Sequence, residues 1–167
     1  MMIENLLRKN VPKKYQDTMF VRLFGFMKVP LIFWVSPSVV TMDEQECVIK
    51  IPLNRRTKNH LNSMYFGVLC TGADIAGGLV AMNEINNSGK KVALAFKDFK
   101  ADFLKRAEGD VHFKVTQIPE IKNFVSDVIK SGERMNFPVE IKAFVPTISP
   151  TEEVAVFTLT LSLKVKA

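Results

Sequence analysis

The sequence predicts an α+β fold in which one long helix, rich in small residues, is buried against an antiparallel sheet. Three observations carry this. From Ser63 to about Asn86, Leu69, Ala73, Ala76 and Val80 recur at helical spacing, continued by Met82 and Ile85. That helix holds Gly67, Gly72, Gly77 and Gly78, each costing roughly 1 kcal/mol of helix stability relative to Ala. So many glycines imply compensation, most simply close approach of other backbone or a ligand. Finally, the strand-like segments are mostly neighbours in sequence joined by tight turns, which favours antiparallel pairing.

The elements follow in order. The first ten residues suggest a short helix, and Val11–Pro12–Lys13–Lys14 a break. Thr18 to about Lys28 reads as an amphipathic helix followed by a Pro-bounded segment. The apolar stretch from Met19 to Val40 is nearly long enough to cross a bilayer. Arg22, Lys28, Pro30 and Pro37 interrupt it, whereas a spanning helix needs about 20 predominantly apolar residues. Residues 1–44 are therefore expected to be a helical and apolar extension packed on a main domain of residues 45–167. Peripheral contact with a membrane surface is the sharper alternative.

Cys47, Ile49, Ile51 and Leu53 alternate as a strand, with Pro52 near its end. Asn54 to Asn62 is a polar, basic loop. Asn86–Asn87–Ser88–Gly89 stops the long helix. Lys91 to Phe103 alternates as a strand, and Glu108–Gly109–Asp110 turns into a second around Val111, Phe113 and Val115. Pro119 to about Lys130 is an amphipathic helix closed by Ser131–Gly132. Phe137 to Val145 and Val154 to Val165 complete the sheet, with a turn through Thr147–Ile148–Ser149–Pro150.

At 167 residues the chain suits a single domain with one substantial core. Thirteen Phe against two Tyr and one Trp point to an apolar interior, with or without a ligand cavity. The net charge of +6 is compatible with phosphate-bearing partners, nucleic acid or anionic membranes and selects none alone. Nucleic acid is disfavoured, because the aromatics are mostly Phe in apolar patterns and are not interleaved with basic residues. Two cysteines, Cys47 and Cys70, form neither a disulfide framework nor a metal spacing and read as buried thiols. His60 and His112 are too few and too scattered for zinc. No secretory signal is visible, so a reducing cytoplasm is the expected compartment. No cofactor is implied.

One acid stands out. Asp74 lies within Thr71–Gly72–Ala73–Asp74–Ile75–Ala76–Gly77–Gly78, among small and apolar residues. A carboxylate there is paired, hydrogen-bonded or desolvated, and desolvation raises its pKa toward the range useful for a base. The competing reading is a structural carboxylate bonded to backbone or Thr. Two turns earlier, Gly67 sits near the helix start, where unsatisfied N–H groups can polarise a carbonyl. A packing glycine at the helix entry is the plainer alternative. Arg55 and Arg56 could receive phosphates, with Lys105 and Arg106 more readily a solvated pair.

Asn59-His60-x-x-Ser63-Met64-Tyr65-Phe66-Gly67, running into Ala73-Asp74-x-Ala76, resembles the loop-and-helix signature of hotdog-fold thioesterases. The phenylacetic-acid-pathway type and its uncharacterised relatives are the most similar. In that family an Asn and a His-Gly-Gly precede the helix and an acid follows on it. The resemblance implies a hotdog fold, a homodimer or dimer of dimers, and acyl-CoA or another acyl thioester as substrate. By position Asn59 matches the family Asn, Gly67 the second Gly and Asp74 the acid acting across the dimer interface. Tyr65 stands where the His is expected and Phe66 where the first Gly is. Together with Ser63, Arg55 and Arg56 these would contact substrate. The expected activity is acyl-CoA thioester hydrolysis in a pocket at the dimer interface. A non-catalytic acyl- or lipid-binding protein on the same scaffold is the alternative.

Overall fold

The computed structural model describes residues 12–166. The short helix expected over the first ten residues lies outside them. The first described helix, α1 (Lys13–Lys28), begins directly after Pro12. It thus starts five residues before Thr18, and the expected break is confined to its leading edge. Pro30 lacks the N–H needed to continue the ladder, so a new short helix, α2 (Pro30–Trp34), begins there. Gly25 permits the fold-back: a Cβ on it would lie 2.6 Å from the Phe33 backbone nitrogen. Two bonds dock α1 onto the chain that follows. Arg22 donates from Nε to the Pro37 carbonyl at 2.8 Å, and Thr18 Oγ1 accepts from the Val39 N–H at 2.9 Å.

The Pro-bounded segment then contains a strand the periodicity does not announce, β1 (Ser38–Met42). It pairs with β2 (Cys47–Ile51) and makes residues 38–42 part of the sheet. The long helix is α3 (Phe66–Ser88), followed by β3 (Val92–Phe103), β4 (Val111–Val115), α4 (Ile118–Ser131), β5 (Met135–Val145) and β6 (Ser149–Val165). All pairings are antiparallel, in the order β1-β2-β4-β5-β6-β3. This is the expected α+β arrangement, a central helix wrapped by one curved sheet.

Alternation places Val111, Phe113 and Val115 in the core and leaves His112 and Lys114 half-exposed. Helix α4 buries Ile121, Phe124, Val125 and Val128, and Gly132 ends it at φ +73°. Helix α3 is long and apolar enough to cross a membrane, yet about two thirds of its most apolar stretch is buried inside the fold. It is a core helix, apolar nearly all round because both of its sides are covered.

Three of its four glycines face the sheet, but strand side chains and not the expected backbone or ligand approach them. Gly72 lies under the ring of Phe113 from β4, Gly77 against Ile141 from β5, and Gly78 against Phe96 from β3. The contacts are side chains of the strands; a large residue on the sheet fills the space each glycine leaves. Strand β3 is different. Among the described residues it pairs only with β6 and its second edge is open, and Phe99 and Phe103 are exposed.

Candidate active site

Asp74 projects from the middle of α3 into a cavity of about 520 Å³, a size typical of small-molecule pockets. The cavity is roofed by Phe20, Val21 and Phe24 of α1 with Ile32 of α2, and floored by α3 and β3. On α3, Asp74, Gly78, Met82 and Ile85 follow one another at helical spacing along the lining. The rest of the lining is apolar apart from Asn86, so Asp74 is its single ionisable group among the described residues. No hydrogen bond or ion pair engages its carboxylate there. Thr71, the nearest candidate in sequence, instead donates its hydroxyl to the Gly67 carbonyl at 2.8 Å. The structural-carboxylate alternative therefore has no partner to rest on. Burial alone pushes the Asp74 carboxyl above its ordinary range, because apolar surroundings disfavour the charged form.

The start of α3 forms a second group. Tyr65 is the N-cap, with no side-chain cap bond, and the helix begins at Phe66 and not near Ser63. Ser63 belongs to the preceding loop. The carboxamide oxygen of Asn59 accepts from the Leu61 and Ser63 N–H groups at 2.8 and 3.2 Å, and its NH2 donates to Ser63 Oγ at 3.1 Å. Asn59 and Ser63 are thus brought together as a loop staple, with the Asn carbonyl fully used. Thr57, also buried, donates to the Pro52 carbonyl, and its own carbonyl accepts from the Tyr65 N–H. These bonds fix the loop against the helix start.

In the first turn the Phe66 and Gly67 N–H groups have no acceptor among the described residues, while those of Val68 and Leu69 reach the Tyr65 carbonyl. The Tyr65 ring fills the space beside Gly67 where a Cβ would point, 2.6 Å from that position. Tyr65 packs on Phe66 at 4.8 Å between centroids, and Phe66 leads on to Phe103 of β3 at 6.2 Å. Seven residues of helix separate Gly67 from Asp74, about 10 Å along the axis. Within one chain the N–H groups and the acid therefore stand apart.

Arg55 and Arg56 lie exposed on the loop, and the Arg56 guanidinium sits 5.4 Å from the centre of the Trp34 ring on α2. Cys47 is fully buried, its thiol pushed up to about 12 by desolvation. Cys70 is only half-buried, a correction to the expectation of two sealed thiols. Sequence reasoning missed the cavity's roof. Val21 and Phe24 share the inward face of α1, which signals packing but not that a void lies beneath.

Known structures confirm the architecture. A Shewanella oneidensis protein named as a candidate thioesterase is 13% identical, with a TM-score of 0.73 over 90% of this chain and 99% of its own. A Chlorobaculum tepidum protein of unknown function is 12% identical, with a TM-score of 0.78 over 92% of this chain and 97% of its own. A thioesterase from Haemophilus influenzae is 15% identical, with a TM-score of 0.62 over 86% and 88%. At such identities the likeness establishes the hotdog fold and leaves chemistry to the residues. No curated protein matches the sequence. A family profile described as "Domain of unknown function (DUF4442)" covers residues 17–163, and the chain belongs to that family.

Proposed function

We propose that this chain is an acyl-CoA thioesterase acting as a homodimer, with Asp74 as general base. The observation that carries the reading is the unpartnered Asp74 carboxyl, raised in pKa by burial, as the single ionisable group of an apolar cavity. An acyl chain fits such a lining, and a base of raised pKa suits neutral pH. In the reaction Asp74 takes a proton from water as the water oxygen attacks the thioester carbonyl carbon. Collapse of the tetrahedral intermediate breaks the C–S bond, and the proton on Asp74 passes to the departing thiolate.

The oxyanion needs donors, and the free N–H groups of Phe66 and Gly67 at a helix N-terminus are suited to it. Their distance from Asp74 along α3 requires that they come from the second subunit. The open edge of β3 supports such a partner, since a 12-residue strand paired on one side alone is a template for further pairing. Tyr65 and Phe66 would line the thioester's approach, and Arg55 and Arg56 would receive the phosphates of coenzyme A. Asn59 and Ser63 would act by holding that loop.

The test is hydrolysis of acyl-CoA substrates of graded chain length by wild type and Asp74→Asn. General-base assistance is worth roughly 10²–10⁴-fold, so the variant should lose at least about a hundredfold in turnover while binding acyl-CoA nearly as well. Full activity in Asp74→Asn would refute the assignment. The Tyr65 ring beside Gly67 favours a second reading, a non-catalytic acyl binder. Wild type that binds acyl-CoA but hydrolyses none would establish it.

A further inference from the structure

Helix α1 is apolar on the side that faces away from the protein. Val21, Gly25 and half-buried Phe24 point inward. Met19, Leu23, Phe26 and Met27, on the opposite arc, are 66, 55, 64 and 63% exposed. The surface continues onto α2, where the Phe26 and Phe33 rings meet edge to face at 5.4 Å and Leu31 and Trp34 are exposed. Soluble proteins rarely leave so large a contiguous apolar patch uncovered.

Its rim is basic. Lys13, Lys14 and Lys28 are exposed, and none forms a salt bridge among the described residues. Arg56 sits over the Trp34 ring, and its exposed neighbour in sequence is Arg55. Asp17 is the sole acid between Lys13 and Thr41, and it is half-buried beneath the helix. We propose that α1 and α2 dock this face onto an anionic phospholipid bilayer, with the apolar side chains in the acyl boundary and the lysines at the headgroups. The charge decides the occupant. A second copy placed on the same face by a two-fold axis would set one basic rim against another, whereas anionic headgroups complement it. An outward apolar face with flanking lysines and an interfacial Trp is the arrangement of an in-plane membrane helix.

The inference stands on α1 and α2 and does not depend on hydrolysis. It also gives the cavity a source of ligand, because the same two helices form its roof.

The experiment is flotation of the full chain with vesicles of phosphatidylcholine and phosphatidylglycerol in equal parts, against phosphatidylcholine alone. The chain should rise with the anionic vesicles and be released by salt. Each lysine at the surface is worth about fivefold, so neutral vesicles should bind on the order of a hundredfold less. Leu23→Ser with Met27→Ser, two exposed positions outside the cavity lining, should lower anionic binding by more than about tenfold. The mass by light scattering should not change. Three results would overturn the proposal: no flotation with anionic vesicles, equal binding to neutral ones, or undiminished binding by the double variant. A double variant whose oligomer falls apart would show instead that a second copy covers the face. Soluble acyl-CoA turnover without vesicles reads the thioesterase proposal separately.

Discussion

An alanine at Gly72 would place a methyl carbon within 2.7 Å of Cε1 of Phe113, with Cζ and Cε2 nearer still. Unstrained carbon contacts begin near 3.5 Å, so the ring would have to retreat by about 1 Å. It has little room to do so. Phe113 is fully buried in β4, between β2 and β5, and its ring packs near that of Phe157. Overpacking of this kind costs about 1–3 kcal/mol or more, against a helix-propensity gain of about 1 kcal/mol. Gly77, five residues on, offers the control. A methyl there would press tightly on the terminal Cδ1 of Ile141 alone, at 3.3 Å, with Ile141 Cγ1 and Leu159 Cδ2 at an ordinary 3.8 Å; Cδ1 yields by a few tenths of an ångström, so most of the propensity gain survives. The propensity gain is common to both variants, so they should differ by the overpacking cost, about 1–3 kcal/mol or more, with Gly77→Ala at or above wild type and Gly72→Ala below it. For a chain of this length that is a gap of roughly 2–12 °C in Tm. Thermal unfolding at one fixed protein concentration measures it, so that any association is held constant. Equal melting temperatures, or a Gly77→Ala variant less stable than Gly72→Ala, would refute the account of how the sheet packs on α3.

Two further outcomes follow from the same structure. Burial holds the folded-state pKa of Asp74 above the unfolded value of 3.8, so the folded protein binds more protons and loses stability as pH rises through the folded pKa. Asp74→Asn should accordingly be more stable than wild type at neutral pH. The gap should close below the unfolded value, and urea unfolding across that range is the check; a variant less stable at neutrality would mean the carboxylate is structural after all. Wild type should have a dimeric mass by light scattering, and Phe99→Lys on the open edge of β3 should shift it toward monomer, since edge charges oppose strand pairing. A monomeric wild type would remove the second subunit on which the proposed oxyanion donors depend.

The regular parts of the fold were legible because one face of each is buried. The alternation around Phe113 and the apolar side of α4 state their burial in their spacing, and Gly89 and Gly132 mark real left-handed helix ends. Elements without such a signal were misplaced. Strand β1 is five residues between prolines and turns, too short for its alternation to stand out from the apolar run before it. Strand β6 begins at Ser149, because the hairpin turns at residues 146–148 and the polar Pro150–Thr151–Glu152 stretch extends on open ground. Helix α3 starts after Ser63, a residue suited to capping that is bonded to Asn59 instead. The acid at Asp74 was visible as a charge in apolar sequence. The cavity was not, since it arises where residues some fifty positions apart meet and fail to fill the space between them.

That void has a physical origin in the layering. The side of α3 carrying Gly72, Ala73, Ala76 and Gly77 is small, so the sheet closes tightly upon it and bulky Phe113 and Ile141 fill the gaps. The neighbouring side carries Asp74, Gly78 and Met82, with Gly78 against Phe96 at the β3 end of the sheet, and lines the cavity that α1 and α2 roof. A close-packed interface there would have to bury the Asp74 carboxyl without a partner, at a desolvation cost of several kcal/mol. The space above it leaves the group only partly buried, and that burial raises its pKa. The apolar rings of Phe20, Phe24 and Phe96 line the rest of the chamber. Helix α1 carries the same logic outward, because its inner face closes the chamber while its outer face exposes Met19, Leu23, Phe26 and Met27. A carboxyl without a partner, an apolar chamber and an exposed apolar roof are each unfavourable in water. The proposed acyl ligand would fill the chamber and the proposed lipid surface would cover the roof, while the carboxyl is left free for the proposed role as base.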